Sequence, residues 1–317
     1  MAKPVISYPG AKWRFWPHIR KYIPRDIKDF REPFFGGGSI SLSIADDPEF
    51  NLERIQVGDL APEIWAMWTG IRNNADDVRD IALKWFSEKC PTHYLMKSGS
   101  KDDPGYQAVY DQAIEEARKF WEWAETVDCE TLSIPERAAR MYLVNKVSFS
   151  GMGDSGSLSK DRFEAFNPLE NTERILMAQP LLQKMDIRNV SFEETMSNVD
   201  PDKTFIFLDP PYYKQESSGL YGRGGNTHKG FPHDHFAEFT KATNCKWFVT
   251  YDDSIKVRKM FRGSAAYGGK CYIKPFTIPG GYTMAKTNSE DALAGEELFI
   301  SNYDLDEMDN VSAVDII

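Results

Sequence analysis

Residues Thr204-Phe205-Ile206-Phe207-Leu208 form an unbroken apolar run that stops at Asp209-Pro210-Pro211-Tyr212-Tyr213. A run of β-formers this short suits a buried strand, and neither proline can continue a sheet ladder, so the chain must leave the sheet directly after Asp209. This points to an α/β fold with an open sheet, in which ligands bind at the carboxyl ends of strands. A carboxylate, a rigid carbonyl and an aromatic ring at such an end suit a flat amine. Asp209 and the Pro210 carbonyl can accept hydrogens from the amino group while the Tyr212 ring stacks on the heterocycle. The plainer alternative is a strand running into a proline turn.

Two upstream segments carry the same texture. Tyr8-Pro9-Gly10-Ala11-Lys12 sets an aromatic and a lysine on either side of a Pro-Gly turn, and Arg31-Glu32-Pro33-Phe34-Phe35-Gly36-Gly37-Gly38-Ser39 follows. Glycines let a ligand approach the backbone, and Ser39 is placed to cap a helix starting there. A short strand is expected to end near Phe34. Ile55-Gln56-Val57-Gly58-Asp59 reads as a second strand, ending in an acid at the spacing that places a carboxylate on a ribose hydroxyl.

In this order the parts resemble the Dam-like (D12 class, alpha-group) family of DNA adenine methyltransferases, and the correspondence covers most of the chain. Tyr8, Gly10 and Lys12 resemble the family's amino-terminal cofactor signature, Glu32 to Ser39 its glycine-rich motif, and Asp209 to Tyr212 its catalytic tetrad. Trp247 to Asp253 and Glu296 to Tyr303 resemble later strands of the same fold. The resemblance implies a Rossmann-like sheet that binds S-adenosylmethionine, with a mainly helical target-recognition domain inserted in it. Tyr8, Gly10, Lys12, Phe35, Gly36, Gly38, Ser39, Asp59 and Asp209 would then line the cofactor site, and Asp209, Pro210 and Tyr212 would act on an adenine flipped out of duplex DNA.

The middle third has a different texture. From Pro62 to about Lys89, from Gln107 to Glu125 and from about Ile134 to Asn145, helix formers recur at helical spacing, with tryptophans that read as core. The catalytic domain is therefore expected to be discontinuous, residues 1–60 and 168–317, around an insert at 61–167. Ser148 to Lys160 is rich in glycine and serine and fits a mobile hairpin or loop, near 146–162. The resemblance makes it the hairpin that enters DNA, with Phe149 or Met152 as wedge and Asn145, Lys146, Lys160 and Arg162 on backbone or base edges. An ordinary surface loop is the alternative. From Glu173 onward α/β texture returns, with a strand expected over Ile187 to Phe192. The glycine-rich stretch from Lys214 to His233 is long enough to be a lid.

The net charge of −10 weighs against a polyanionic partner. It is unevenly spread: residues 1–31 are rich in Lys and Arg, whereas Asp304, Asp306, Glu307, Asp309 and Asp315 have no basic neighbour in the tail. Local fields matter more than the total. Cys90, Cys129, Cys245 and Cys271 are scattered, without metal-ligand spacing, so no metal site is expected. No apolar run is long enough to span a membrane, and the first residues do not read as a signal peptide. The expected setting is the cytoplasm of a bacterium or a phage-infected host, with double-stranded DNA as partner and no obligate protein partner. Two other readings stay open: the same chemistry on RNA or single strands, and a non-catalytic binding protein or DNA mimic. A cysteine nucleophile, which cytosine ring methylation needs, is missing near Asp209, whereas methylation of the cytosine amine is chemically close.

Overall fold

The computed structural model describes residues 4–151, 153–213, 230–277 and 296–308. A short helix, α1 (Trp16–Ile19), precedes β1 (Asp29–Glu32), α2 (Ser39–Asp46) and β2 (Arg54–Gly58). A helical stretch follows: α3 (Pro62–Lys89), α4 (Thr92–Ser98), α5 (Tyr106–Thr126), α6 (Ile134–Val147), α7 (Lys160–Ala165) and α8 (Pro168–Leu182). Strand and helix then alternate through β3 (Met185–Arg188), α9 (Phe192–Thr195), β4 (Thr204–Leu208), α10 (His233–Ala242), β5 (Lys246–Asp252) and α11 (Ile255–Met260). Two strands, β6 (Tyr272–Thr277) and β7 (Glu296–Ser301), complete the sheet.

The seven strands lie in the order β3-β2-β1-β4-β5-β7-β6. β3 to β5 are mutually parallel, and β7 runs antiparallel to both of its neighbours. From β1 the chain moves outward to β2 and β3, then returns to place β4 on the other side of β1. The loops leaving β1 and β4 therefore open side by side at a topological switch point, where an open sheet offers a ligand crevice.

Side-chain alternation builds a layer on each face. Phe205 and Phe207 of β4, with Phe248 and Phe299, point into the layer of α2, α3 and α8. Ile206 and Leu208, with Trp247, Val249, Tyr251, Leu298 and Ile300, point into the layer of α9, α10 and α11. Burial on both faces is why β4 reads as continuous hydrophobicity.

The first layer continues without a break into the helical stretch. One body of buried side chains runs from Phe30 on β1 through Trp68 on α3 to Phe86 and to Phe163 on α7. α3 bends at Asn74, where φ is −143° and ψ 49°. Gly70 lets α3 approach α6 closely, since a Cβ there would lie 2.6 Å from the Ala138 methyl. α6 starts at a capping box in which Ser133 and Glu136 satisfy each other's backbone amides.

The expected elements are present with shifted ends. β1 stops at Glu32 rather than near Phe34, because Pro33 cannot continue the ladder. The strand expected over Ile187 to Phe192 lies earlier, at Met185–Arg188, and Phe192 opens a helix capped by Ser191, whose side chain accepts from the Glu194 amide. β6 has no counterpart in the sequence reading, since Pro275 breaks its pattern. An edge strand tolerates proline, and β6 lies at the edge. No helix among the described residues is long and apolar enough to cross a membrane.

Candidate active site

The glycine loop between β1 and α2 is tightly packed from several sides. Gly36 and Gly38 take left-handed φ values of 44° and 70°, which glycine adopts without steric cost. Tyr8 lies against the loop, so a Cβ on Gly36 or Gly37 would meet its side chain at 2.7 or 2.6 Å. From below, the Trp68 indole donates to the Gly36 carbonyl at 2.8 Å and packs against Phe35, ring centroids 5.2 Å apart. From the β2 side, Asp59 accepts the Gly36 amide at 2.8 Å and the Ala61 amide at 2.9 Å, one on each oxygen. Burial pushes the Asp59 carboxyl up to about 6, against the pull of these two amides.

Two expectations change at this loop. Phe35 is buried against Trp68, so its side chain supports the loop from the core and only its backbone can face a ligand. The residue capping α2 is Gly38, one before Ser39, and no side chain caps that end. Ser39 is buried and its hydroxyl has no hydrogen-bond partner among the described residues.

Glu32, at the end of β1, receives the Ser41 amide at 3.0 Å and the Ser41 hydroxyl. Burial, with Asp209 and Asp59 nearby, pushes it up to about 8 although the Ser41 donors oppose the shift. Glu32 thus anchors α2 through the two Ser41 donors, while burial disfavours its charged form.

Across the switch point, Asp209 follows β4 with its side chain 21% exposed. Its Oδ1 accepts from the Thr250 hydroxyl at 2.7 Å and pairs with the Lys12 ammonium at 2.9 Å. Lys12 is buried, donates to the Gly10 carbonyl at 2.8 Å and lies 3.8 Å from Glu297. Burial works against its charge, but Asp209 and Glu297 outweigh it and hold its pKa above the ordinary lysine value. Tyr212 donates to Glu297 at 2.8 Å, and the Tyr213 amide donates to Asp252 at 2.7 Å. Gly36, Asp59, and Asp209 with Tyr212 thus sit on the three loops that leave β1, β2 and β4, and Tyr8 and Lys12 on the amino-terminal turn packed against them. Thr250, Asp252, Glu297 and Trp68 belong to the same framework, but nothing in their local sequence marks them as site residues.

The helical stretch holds the start of the chain through side chains expected on DNA. Asn145 is fully buried; its amide accepts the Ser7 amide at 3.1 Å and donates to the carbonyls of Ser7 at 2.6 Å and Gly151 at 2.8 Å. The Lys146 ammonium donates to the Val5 carbonyl at 2.5 Å, and burial, then Arg174 and Arg162, push its pKa down to about 7. Arg162 donates to the Lys146 and Asn145 carbonyls at 3.1 Å each and to the Ser7 hydroxyl at 3.2 Å. Asn145, Lys146 and Arg162 therefore clasp residues 5–7 and are not free to meet phosphates or bases, which corrects the sequence expectation.

Phe149 and Lys160 are exposed, Phe149 by 60%. The Ser148 to Lys160 segment is pinned by a bridge between Ser148 and Leu158 and by the buried Arg140–Asp154 pair at 2.7 Å. Met152, residues 214–229 with His228, and the tail from Asp309 lie outside the described residues. His233 and His235 lie in the first turn of α10, and no group of three or more potential metal ligands occurs among the described residues.

Comparison with known proteins agrees with this geometry. Residues 8–270 match the family described as D12 class N6 adenine-specific DNA methyltransferase. The type II methyltransferase M1.LlaDCHI of Lactococcus lactis subsp. cremoris is 22% identical over 82% of this chain and 76% of its own length. The type II methyltransferase M.CviBI of Paramecium bursaria Chlorella virus NC1A is 23% identical over 82% of this chain and 87% of its own. Among solved structures, the rRNA methyltransferase aviRa of Streptomyces viridochromogenes aligns over 95% of this chain and 86% of that chain, with TM-score 0.33 and 13% identity. That likeness is loose, whereas the strand order is itself that of an open α/β sheet. Because the family match spans most of the chain and includes both loops at the switch point, the chain belongs to the D12 class of N6 adenine-specific DNA methyltransferases.

Proposed function

We propose that the chain binds S-adenosylmethionine along the glycine loop and methylates an adenine extruded from double-stranded DNA, with Asp209, Pro210 and Tyr212 around the reacting amine. The observation carrying this reading is the Asp209 carboxylate, fixed on Oδ1 by Thr250 and Lys12 at the mouth of the switch-point crevice. The residues present suit the cofactor. Asp59 is held by two amides and keeps lone pairs for ribose hydroxyls, the glycine loop admits close approach, and Ser39 carries a buried hydroxyl in need of a partner. When bound, S-adenosylmethionine would supply a methyl group on positively charged sulfur, already activated for transfer.

The protein's own task is then positioning and charge stabilisation. Asp209 and the Pro210 carbonyl would hold the amino hydrogens and stabilise the positive charge that develops on nitrogen. Tyr212 would stack on the base, which has to leave the duplex because its reacting group is otherwise inaccessible. Residues 61–167 would form the target-recognition part. Its exposed Phe149 suits insertion beside the vacated position and Lys160 a phosphate contact. A bacterial or phage-infected cytoplasm is the setting in which such a substrate is met.

Asp59 gives this proposal a pH test. Ribose hydroxyls would bind the ionised carboxyl best, so affinity for S-adenosylhomocysteine should be full above pH 6 and fall below it, by up to about tenfold per pH unit. Stability should move the opposite way. A folded-state value above the ordinary 3.8 means that this group's stabilisation is complete below that value and is lost as pH rises through about 6. Calorimetric titration of Asp59→Ala should show at least about tenfold weaker binding with the pH step gone. Unchanged affinity would remove Asp59 from the site.

For the DNA side, Phe149→Ala should reduce extrusion of a fluorescent adenine analogue placed at the target position while leaving cofactor affinity alone. Parental extrusion would make the segment an ordinary surface loop.

A further inference from the structure

β7 carries a buried carboxylate next to a run of three buried hydrocarbon side chains. Glu297 is fully buried, beside Leu298, Phe299 and Ile300. Burying a charge costs several kcal/mol unless partners compensate, so a glutamate in such a position needs a reason. Pairing with Lys12 is an incomplete one, because Lys12 already has Asp209 at 2.9 Å and is 3.8 Å from Glu297. The tighter contact of Glu297 is the Tyr212 hydroxyl, at 2.8 Å. In the sheet, Glu297 pairs in register with Asp252, which takes the Tyr213 amide at 2.7 Å. Two neighbouring carboxylates at the ends of β5 and β7 thus hold successive residues of the loop that leaves β4. The Tyr212 ring is located further by Tyr251, stacked with centroids 5.9 Å apart at 28°, and by the Lys12 ammonium 5.0 Å from its centroid.

We infer that Glu297 is a positioning residue for methyl transfer: it fixes the plane of the Tyr212 ring through the phenol hydroxyl and shares the Lys12 ammonium with Asp209, so that the ring and the carboxylate that receive the base are held in one geometry. This inference rests on the proposed roles of Asp209 and Tyr212. A phenylalanine at position 212 would still offer a ring but would lose the tether. An alanine at 297 would release the tether and leave Lys12 with Asp209 and the Gly10 carbonyl. Misplacing a reacting group by about an ångström can cost on the order of a hundredfold in rate, so the effect belongs in the chemical step and not in cofactor binding.

The test uses the full-length protein, labelled S-adenosylmethionine and a duplex with a fluorescent adenine analogue at the target position. Glu297→Ala is expected to lower the single-turnover rate by about tenfold to a hundredfold with cofactor affinity within about threefold of the parent. Glu297→Gln, whose amide oxygen still accepts from Tyr212, should restore most of the stacking signal that Glu297→Ala loses. Combining Glu297→Ala with Tyr212→Phe should be scarcely worse than Glu297→Ala alone, because both remove the same contact. A parental rate in folded Glu297→Ala, or effects that multiply in the double variant, would overturn the inference. If Glu297→Ala does not fold, Tyr212→Phe decides: reduced stacking and a reduced rate are expected, and parental values would overturn it. Asp209→Ala in the same assay separates the two levels. If it is inactive while the Glu297 variants are parental, only this inference fails; if it too is active, the proposed site itself fails.

Discussion

Replacing Asp209 with alanine is expected to cut methyl transfer by about two to three powers of ten or more, the usual cost of removing one group that meets developing charge. Asp209 is the side chain placed to accept hydrogens from the amine, and Thr250 and Lys12 hold it through Oδ1. The fold should persist, because Asp209 is partly exposed on a loop and the Lys12 ammonium retains Glu297 at 3.8 Å and the Gly10 carbonyl at 2.8 Å. Circular dichroism and S-adenosylhomocysteine binding would check that. A folded Asp209→Ala protein with near-parental turnover would show that the carboxylate has no catalytic part.

The largest effect on stability is expected at Trp68. Its side chain is fully buried, packs on Phe35 and donates to the Gly36 carbonyl. Trp68→Ala should cost about 3–5 kcal/mol, the range for truncating a large buried aromatic, and should weaken cofactor binding by releasing the loop. Trp68→Phe separates the parts: it keeps much of the packing but leaves the Gly36 carbonyl without its donor, for about 1 kcal/mol or somewhat more. Denaturant unfolding of both variants reads these values. A loss below about 1 kcal/mol for Trp68→Ala would mean that the core under the loop collapses to fill the space.

Much of this architecture is legible in the sequence where local rules and tertiary structure agree. β4 declares itself because it is buried on both faces and ends at two prolines, and α3 and α5 because their apolar residues recur at helical spacing. Asp209, Asp59 and the glycine loop are readable because their residue types and spacing are set by what they do locally. Glu297 and Thr250 are not, because each works through a partner far away in the chain: Tyr212 is 85 residues from Glu297, and Asp209 is 41 from Thr250.

Asn145, Lys146 and Arg162 are hard to read from the sequence for a related reason. Polar and basic residues flanking a glycine-serine segment resemble a DNA-facing surface, but the sequence does not reveal that residues 5–7 lie across them. The Ser7 and Val5 carbonyls take donors from Asn145 and Lys146, and the Ser7 hydroxyl takes one from Arg162, as buried donors require. The cap of α2 falls one position before Ser39 because the left-handed turn there suits Gly38.

The central claim is that this crevice transfers a methyl group to the amine of adenine in duplex DNA. The most direct measurement is to incubate the purified protein with methyl-labelled S-adenosylmethionine and, in parallel, unmethylated duplex DNA, the same DNA as single strands, and RNA, then digest each product and identify the labelled nucleoside. Label in N6-methyladenine from the duplex, well above either single-stranded substrate, is the expected result. Label confined to RNA, in a cytosine product, or in no nucleoside at all would contradict it.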